Sequence, residues 1–164
     1  MSGRIEARLK ELGIALPEPA TPIANYIPCN VVDFAVETGR RHGLAVISGQ
    51  VPLRDGKIAF TGKLGAGVSP EEGQAAARLC FINLLAQLKA ACLGDLDRVK
   101  RVVRLGGFIA ATPDFTQHAQ VMNGASDLAV EVFGEAGRHA RTTIGVPSLP
   151  GDAAVEVEGL FEIG

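Results

Sequence analysis

The feature that most constrains this chain is its C-terminal run, Ala154 to Ile163, which alternates apolar and acidic side chains. Val155, Val157 and Phe161 fall on one face of an extended strand and Glu156, Glu158 and Glu162 on the other, because successive strand side chains point to opposite sides. Such a strand belongs in a sheet with a core on one face only. An earlier extended run opens at Arg138-His139-Ala140-Arg141 and is joined to it through the Pro-rich turn Pro147-Ser148-Leu149-Pro150. If the two runs pair as a hairpin, Arg141 comes within reach of the carboxylates. A fixed guanidinium beside a carboxylate suits the binding and transformation of a small anion. The plainer reading is an exposed strand face with a surface ion pair, which contributes little.

Upstream, the clearest helix begins at Ser69-Pro70-Glu71-Glu72. Serine is the N-cap, proline takes the first helical position and Glu72 completes a capping box. Ala75, Leu79, Ile82, Leu85, Leu88 and Cys92 then recur at steps of three and four, and the helix should stop at Gly94. A second helix is expected from Asp114 through Val121, Leu128 and Val132 to a stop at Gly134. Val31 to Thr38 and Leu44 to Ile47, around the turn Gly39 to Gly43, read as a β-hairpin. Ile58 to Phe60 reads as a short strand and Arg98 to Leu105 as a longer one. Strands from both ends of the chain, with two long helices between them, predict one sheet with helices on one face. Residues 1–164 are expected to form a single domain, of which 1–21 is an N-terminal helical extension with a Pro-rich connector.

Several functions are disfavoured. A net charge of -2 supplies no basic footprint for nucleic acid, and an aromatic content of 5% without Trp leaves little for base stacking. Gly62 to Ser69 precedes a helix but lacks Gly-Lys-Ser/Thr at the helix start, so it reads as a flexible loop rather than a phosphate site. His42, His118 and His139 have no metal-ligand spacing, and no Gly-x-Ser-x-Gly occurs. Cys29, Cys80 and Cys92 form no CxxC, and their odd number argues against a disulfide framework. No apolar run is long enough to span a membrane, and the first helix is amphipathic rather than a signal peptide, so the cytoplasm is the expected location. Arg141, Glu156, Ser48, Gly49, Asn123 and Tyr26 remain as candidates, and their spacing alone does not unite them.

Several segments, in order, resemble one known family. They are Ile47-Ser48-Gly49-Gln50-Val51-Pro52, the helix containing Asn83-Leu84-Leu85, the Arg98 to Phe108 strand, Asn123, Ala140-Arg141-Thr142, and Leu149-Pro150 leading into Val155-Glu156-Val157-Glu158. Over roughly residues 22 to 163 the chain resembles a longer member of the reactive intermediate deaminases, the RidA/YjgF family, historically labelled endoribonuclease L-PSP. The resemblance implies an α+β, chorismate-mutase-like fold: a mixed sheet with two long helices on one face, assembling as a homotrimer with clefts between subunits. It implies that Arg141 binds the carboxylate of a small substrate and that Glu156 handles water. Tyr26, Ser48, Gly49 and Asn123 would line the substrate site. The implied reaction is hydrolysis of enamine or imine intermediates, such as 2-aminoacrylate, to 2-oxo acids and ammonia, with no metal or organic cofactor. Ala24-Asn25-Tyr26 stands where short members carry Gly-Pro-Tyr; His139 and Thr143 stand where they often carry Pro and Cys. A trimeric carboxylate-binding protein without catalysis is the alternative. A ribonuclease, suggested by the historical label, is the third reading.

Overall fold

The computed structural model describes residues 3–21, 24–34 and 42–164. The strands are β1 Cys29–Phe34, β2 His42–Gln50, β3 Leu53–Arg54, β4 Lys57–Ile58, β5 Lys63–Leu64, β6 Gly67–Val68, β7 Val99–Ala110, β8 Ala140–Val146 and β9 Val155–Ile163. The helices are α1 Arg4–Glu11, α2 Pro70–Ala91 and α3 His118–Phe133. Five strands form the main sheet in the order β1-β2-β9-β7-β8; every neighbouring pair is antiparallel except β7 and β8, which are parallel.

The C-terminal strand behaves as its alternation requires. Val155, Val157, Phe161 and Ile163 are buried, while Glu156, Glu158 and Glu162 stay partly exposed on the other face. Helices α2 and α3 cover only the apolar face, through Ala76, Cys80 and Leu84 of α2 and Val121, Met122 and Leu128 of α3. The helices approach closely because Gly124 has no side chain: a Cβ there would lie 2.0 Å from the Gln74 carbonyl oxygen. The fold is therefore a mixed sheet with two helices on one face, as the resemblance implies. Among the described residues, no helix is long and apolar enough to cross a membrane.

One expectation is overturned. β8 and β9 do not form a hairpin, because β7 lies between them. The strand–helix–strand unit β7-α3-β8 lays β8 parallel to β7, as a helical crossover allows, so the following chain must cross the end of β7 to reach its other edge. That crossing is visible at two bonds. The Ala111 N–H donates to the Val146 carbonyl (3.0 Å), and the Ala110 N–H to that of Ala154 (3.0 Å).

Other boundaries moved for local reasons. α2 has its full capping box at Ser69, with the Ser69 N–H donating to Glu72 (2.8 Å) and the Glu72 N–H to Ser69 Oγ (3.2 Å). α3 starts at His118 rather than Asp114, because the Phe115 N–H closes a turn onto the Thr112 carbonyl first (3.1 Å). β7 extends to Ala110, and the strand expected at 58–60 is a two-residue piece in the β3–β4 hairpin. The segment read as a flexible loop is pinned: Leu64 is fully buried and its carbonyl accepts from the Thr112 N–H (3.0 Å). Of the turn expected at 39–43, residues 39–41 lie outside the described residues. The extension is tied down at both ends. Asp97 accepts from the first α1 amides, Arg4 N (2.8 Å) and Ile5 N (2.8 Å), and Gln87 donates to the Ala20 carbonyl (2.7 Å).

Candidate functional site

The candidate residues gather into two groups at opposite sides of the sheet. The first stands on β8, an edge strand. Arg141 occupies a register position level with Leu105 and, beyond it, Gly159, whose face is the helix-covered one. Its guanidinium reaches α3, where Nη1 donates to Asn123 Oδ1 (2.9 Å) and to Ser126 Oγ (3.1 Å). Ser126 is in turn 3.0 Å from His139 Nε2, and His139 Nδ1 is 2.6 Å from the Gly137 carbonyl. A carbonyl only accepts, so Nδ1 carries a proton. In the neutral ring Nε2 then accepts from the Ser126 hydroxyl, leaving that oxygen to accept from Arg141. This orienting chain was not read from the sequence: Ser126 carries no motif, and His139 was singled out only as a departure from the short members.

Arg141 differs electrostatically from its neighbours. Arg101 pairs with Glu162, Arg104 with Glu158 (3.1 Å) and Arg78 with Glu131 (3.0 Å). Among the described residues Arg141 has no carboxylate partner; it is exposed and held by neutral groups through one nitrogen. A guanidinium held this way keeps its planar fork available for an external anion. Thr143, two residues on and on the same side of β8, has a buried hydroxyl with no hydrogen-bond partner.

The second group surrounds the end of β2. The pairing register of β2 with β9 slips between Ile47 and Gln50, leaving Ser48 and Gly49 in a bulge. Gln50 braces that bulge by donating to the carbonyls of Ser48 (3.0 Å) and Gly49 (3.2 Å). Ser48 is bonded back to the chain before β1, its hydroxyl donating to the Ile27 carbonyl (2.9 Å) and its N–H to that of Pro28 (2.9 Å). Tyr26 is half-exposed beside this segment and lines a cavity together with Gly49. The carboxylate of Glu156 lies directly against Gly49: a Cβ there would sit 1.9 Å from Glu156 Oε1. Burial, and after it the neighbouring Glu158, raises the Glu156 carboxyl above its ordinary range. Both effects disfavour the charged form.

Within one chain these groups do not meet. Glu156 stands on the uncovered face opposite Phe108, whereas Arg141 stands on the helix-covered face. The two positions are two strand spacings apart, about 10 Å, and three residues apart along the strands, about another 10 Å. Tyr26, Ser48, Gly49 and Glu156 form one cluster, and Arg141 and Asn123 another. The uncovered sheet face between them carries half-exposed Val32, Phe34, Val46 and Ile144.

Among the described residues the only grouping with metal-ligand reach is Glu6, Asp95 and Asp97. Asp97 accepts from the Arg4 and Ile5 amides, Glu6 Oε1 from that of Leu96 and Asp95 from that of Asp97, while Glu6 Oε2 is buried with no hydrogen-bond partner. Burial raises all three thiols above their usual range. Burial first, then Glu156, raises the Cys80 thiol well above its usual range, and burial pushes Cys92 up to about 11.

The family model described as YjgF/chorismate mutase-like, putative endoribonuclease matches residues 6–162. Protein TCP17 of Trypanosoma cruzi is 49% identical over 163 residues, spanning 99% of this chain and 96% of that protein. The crystal structure of Atu1372 from Agrobacterium tumefaciens, a protein described as of unknown function, is 46% identical. It covers 98% of this chain and 92% of its own, with a TM-score of 0.85. Escherichia coli TdcF, solved with bound serine, is 25% identical over 88% of this chain and 91% of its own, with a TM-score of 0.57.

Proposed function

Because this chain belongs to the YjgF/chorismate mutase-like, putative endoribonuclease family, we propose that it hydrolyses enamine and imine intermediates to 2-oxo acids and ammonia. The observation that carries this reading is Arg141: a guanidinium held by Asn123 and Ser126 with no carboxylate of its own. A carboxylate on the substrate completes that fork. TdcF is a structural relative, and the serine bound in its crystal structure also carries a carboxylate.

The reading requires the two clusters to come from different chains. The Arg141 cluster lies at the β8 edge of the sheet and the Tyr26–Gly49 cluster beside the β1 edge. Joining unlike surfaces head to tail closes into a ring when the rotation permits, and a homotrimer is the ring that the family resemblance implies. The half-exposed apolar side chains on the uncovered face would be covered in that assembly.

The chemistry follows from the groups present. An enamine takes a proton from solvent at carbon and becomes the protonated imine. Water then adds to the imine carbon while Glu156 accepts one of its protons, and a carbinolamine forms. Glu156 passes that proton to nitrogen, the C–N bond breaks as the carbinol hydroxyl gives up its proton through Glu156 to solvent, and ammonia leaves a 2-oxo acid behind. Glu156 ends as it began. Its raised carboxyl brings the base nearer to neutrality, where proton transfer is more effective. Arg141 holds the substrate in place, and orientation of this kind is itself a large part of such a rate.

A complementation experiment tests the arrangement. Arg141→Ala and Glu156→Gln are each expected to be inactive alone. Mixed by unfolding and refolding together, they should regain part of the activity, because some clefts then combine an intact Arg141 with an intact Glu156. Persistent inactivity of the mixture, with wild type active after the same treatment, would place both residues in one chain's site. A non-catalytic carboxylate binder is the second reading, favoured by serine rather than an imine being the ligand in TdcF; it predicts 2-oxo acid binding without imine hydrolysis. A ribonuclease is the third, and the carboxylates of Glu156 and Glu158 around the cleft oppose a phosphate backbone.

A further inference from the structure

His139, just before β8, and Arg141, two residues on, reach the same hydroxyl on α3. Ser126 Oγ accepts from Arg141 Nη1 (3.1 Å) and lies 3.0 Å from His139 Nε2. A guanidinium only donates, so the serine's own hydrogen must point elsewhere. In a helix such a hydroxyl can turn back to the carbonyl four residues before it, here that of Met122. His139 offers a competing acceptor on the strand side, and its ring is held in place to do so. Nδ1 meets the Gly137 carbonyl (2.6 Å), and Gly137 is pressed against α3, where a Cβ would lie 2.1 Å from the Ala129 carbonyl oxygen. The contacts thus leave α3 at Ala129, pass through Gly137 and His139, and return to it at Ser126.

These bonds also decide which edge of Arg141 is offered. Both leave from Nη1, which has two hydrogens, to Ser126 Oγ and to Asn123 Oδ1 (2.9 Å). The end-on edge, Nη1 with Nη2, is thereby taken. The side-on edge, Nε with Nη2, is the parallel pair of donors left for a carboxylate. We infer that His139 is a positioning residue of this site: by holding the Ser126 hydroxyl outward, it turns the Nε–Nη2 edge of Arg141 to the substrate. The inference rests on Arg141 being the carboxylate anchor of the proposed deaminase, and adds what sets that anchor's orientation. Without the His139 acceptor, Ser126 turns back to its own helix, Nη1 keeps Asn123 alone, and the guanidinium swings about one bond.

The test reads calorimetric titration of pyruvate and ammonia release from an alanine-derived imine. His139→Asn keeps an N–H for the Gly137 carbonyl but ends short of Ser126. His139→Gln reaches further and brings an amide oxygen that can accept from the serine. Ser126→Ala removes the hydroxyl itself. His139→Asn and Ser126→Ala should each weaken pyruvate binding about tenfold, as loss of one hydrogen bond to a charged group does, and lower kcat/KM by at least that factor. Because both break one chain of contacts, the double variant should bind no worse than either single one. His139→Gln should recover most of the loss. Nitrogen NMR of wild type in mildly alkaline buffer should show His139 as the Nδ1–H tautomer, a readout that needs no variant to fold. Additive losses in the double variant, an Nε2–H tautomer, or variants that melt earlier yet bind pyruvate as wild type does would each overturn the inference, with Arg141 remaining the anchor. If Arg141→Ala binds pyruvate as well as wild type, the parent reading and this inference fall together.

Discussion

Replacing Gly49 by alanine separates the proposed base from the stability of the fold. The added Cβ would lie 1.9 Å from Glu156 Oε1, 2.8 Å from its Cδ and 3.1 Å from its Cγ. Ordinary contact begins near 3.4 Å, so the carboxylate must retreat by about 1.5 Å, and the chain behind it by a few tenths of an ångström. Most of that movement is available to the flexible end of a glutamate. Its cost is of the order of one strained rotamer, about 0.5–1.5 kcal/mol, which lowers the midpoint of unfolding by only about 1–6 °C for a chain of this size. Catalysis is less forgiving, since a displacement of about 1 Å at a reacting group is enough for a loss of about 100-fold. Gly49→Ala should therefore melt within a few degrees of wild type while losing about 100-fold in ammonia release from an alanine-derived imine. Binding of pyruvate, which depends on Arg141, should weaken far less. Full turnover in Gly49→Ala, with the altered carboxylate position confirmed by crystallography, would refute the assignment of Glu156 as the base.

Three further outcomes follow from the same contacts. Glu158→Gln removes a charge that raises the Glu156 carboxyl and frees Arg104 from its partner; both changes favour ionised Glu156, so the acid limb of the kcat–pH profile should shift to lower pH. Asp97→Ala deletes the acceptor for the first two α1 amides and should cost about 1 kcal/mol, read as faster amide exchange in α1; hydrogen bonds from Arg4 and Ile5 hold the Asp97 carboxyl below its usual range, so in wild type this contribution is present above the unfolded value of 3.8 and is lost as pH falls through the lower folded value. Replacing Cys29, Cys80 and Cys92 together with Ala or Ser should leave turnover per folded chain intact while lowering stability where the thiols are buried, since burial keeps Cys80 and Cys92 protonated; loss of turnover in a folded triple variant would demand a thiol mechanism.

What the sequence determined by itself is what a few adjacent residues decide. The alternation from Val155 places the buried side chains on one side of β9 wherever that strand goes, because successive side chains of a pleated strand point to opposite faces. Ser69-Pro70-Glu71-Glu72 sets the start of α2, since the cap is made within four residues, and Gly134 ends α3 with a positive φ of 63°. Family-specific segments carried the fold further than periodicity could. The tertiary structure alone decided which strands are neighbours. Arg141 and Glu156 are fifteen residues apart in sequence and were expected to face each other across a hairpin, but the β7-α3-β8 crossover puts β7 between their strands and sets them on opposite faces. Strand order depends on contacts among distant segments, which no local pattern records. For the same reason Ser126 and Gln87 carried no signal: an amide or a hydroxyl acquires a role only when folding buries it beside a particular partner, as α3 does for Arg141 and the connector for Gln87.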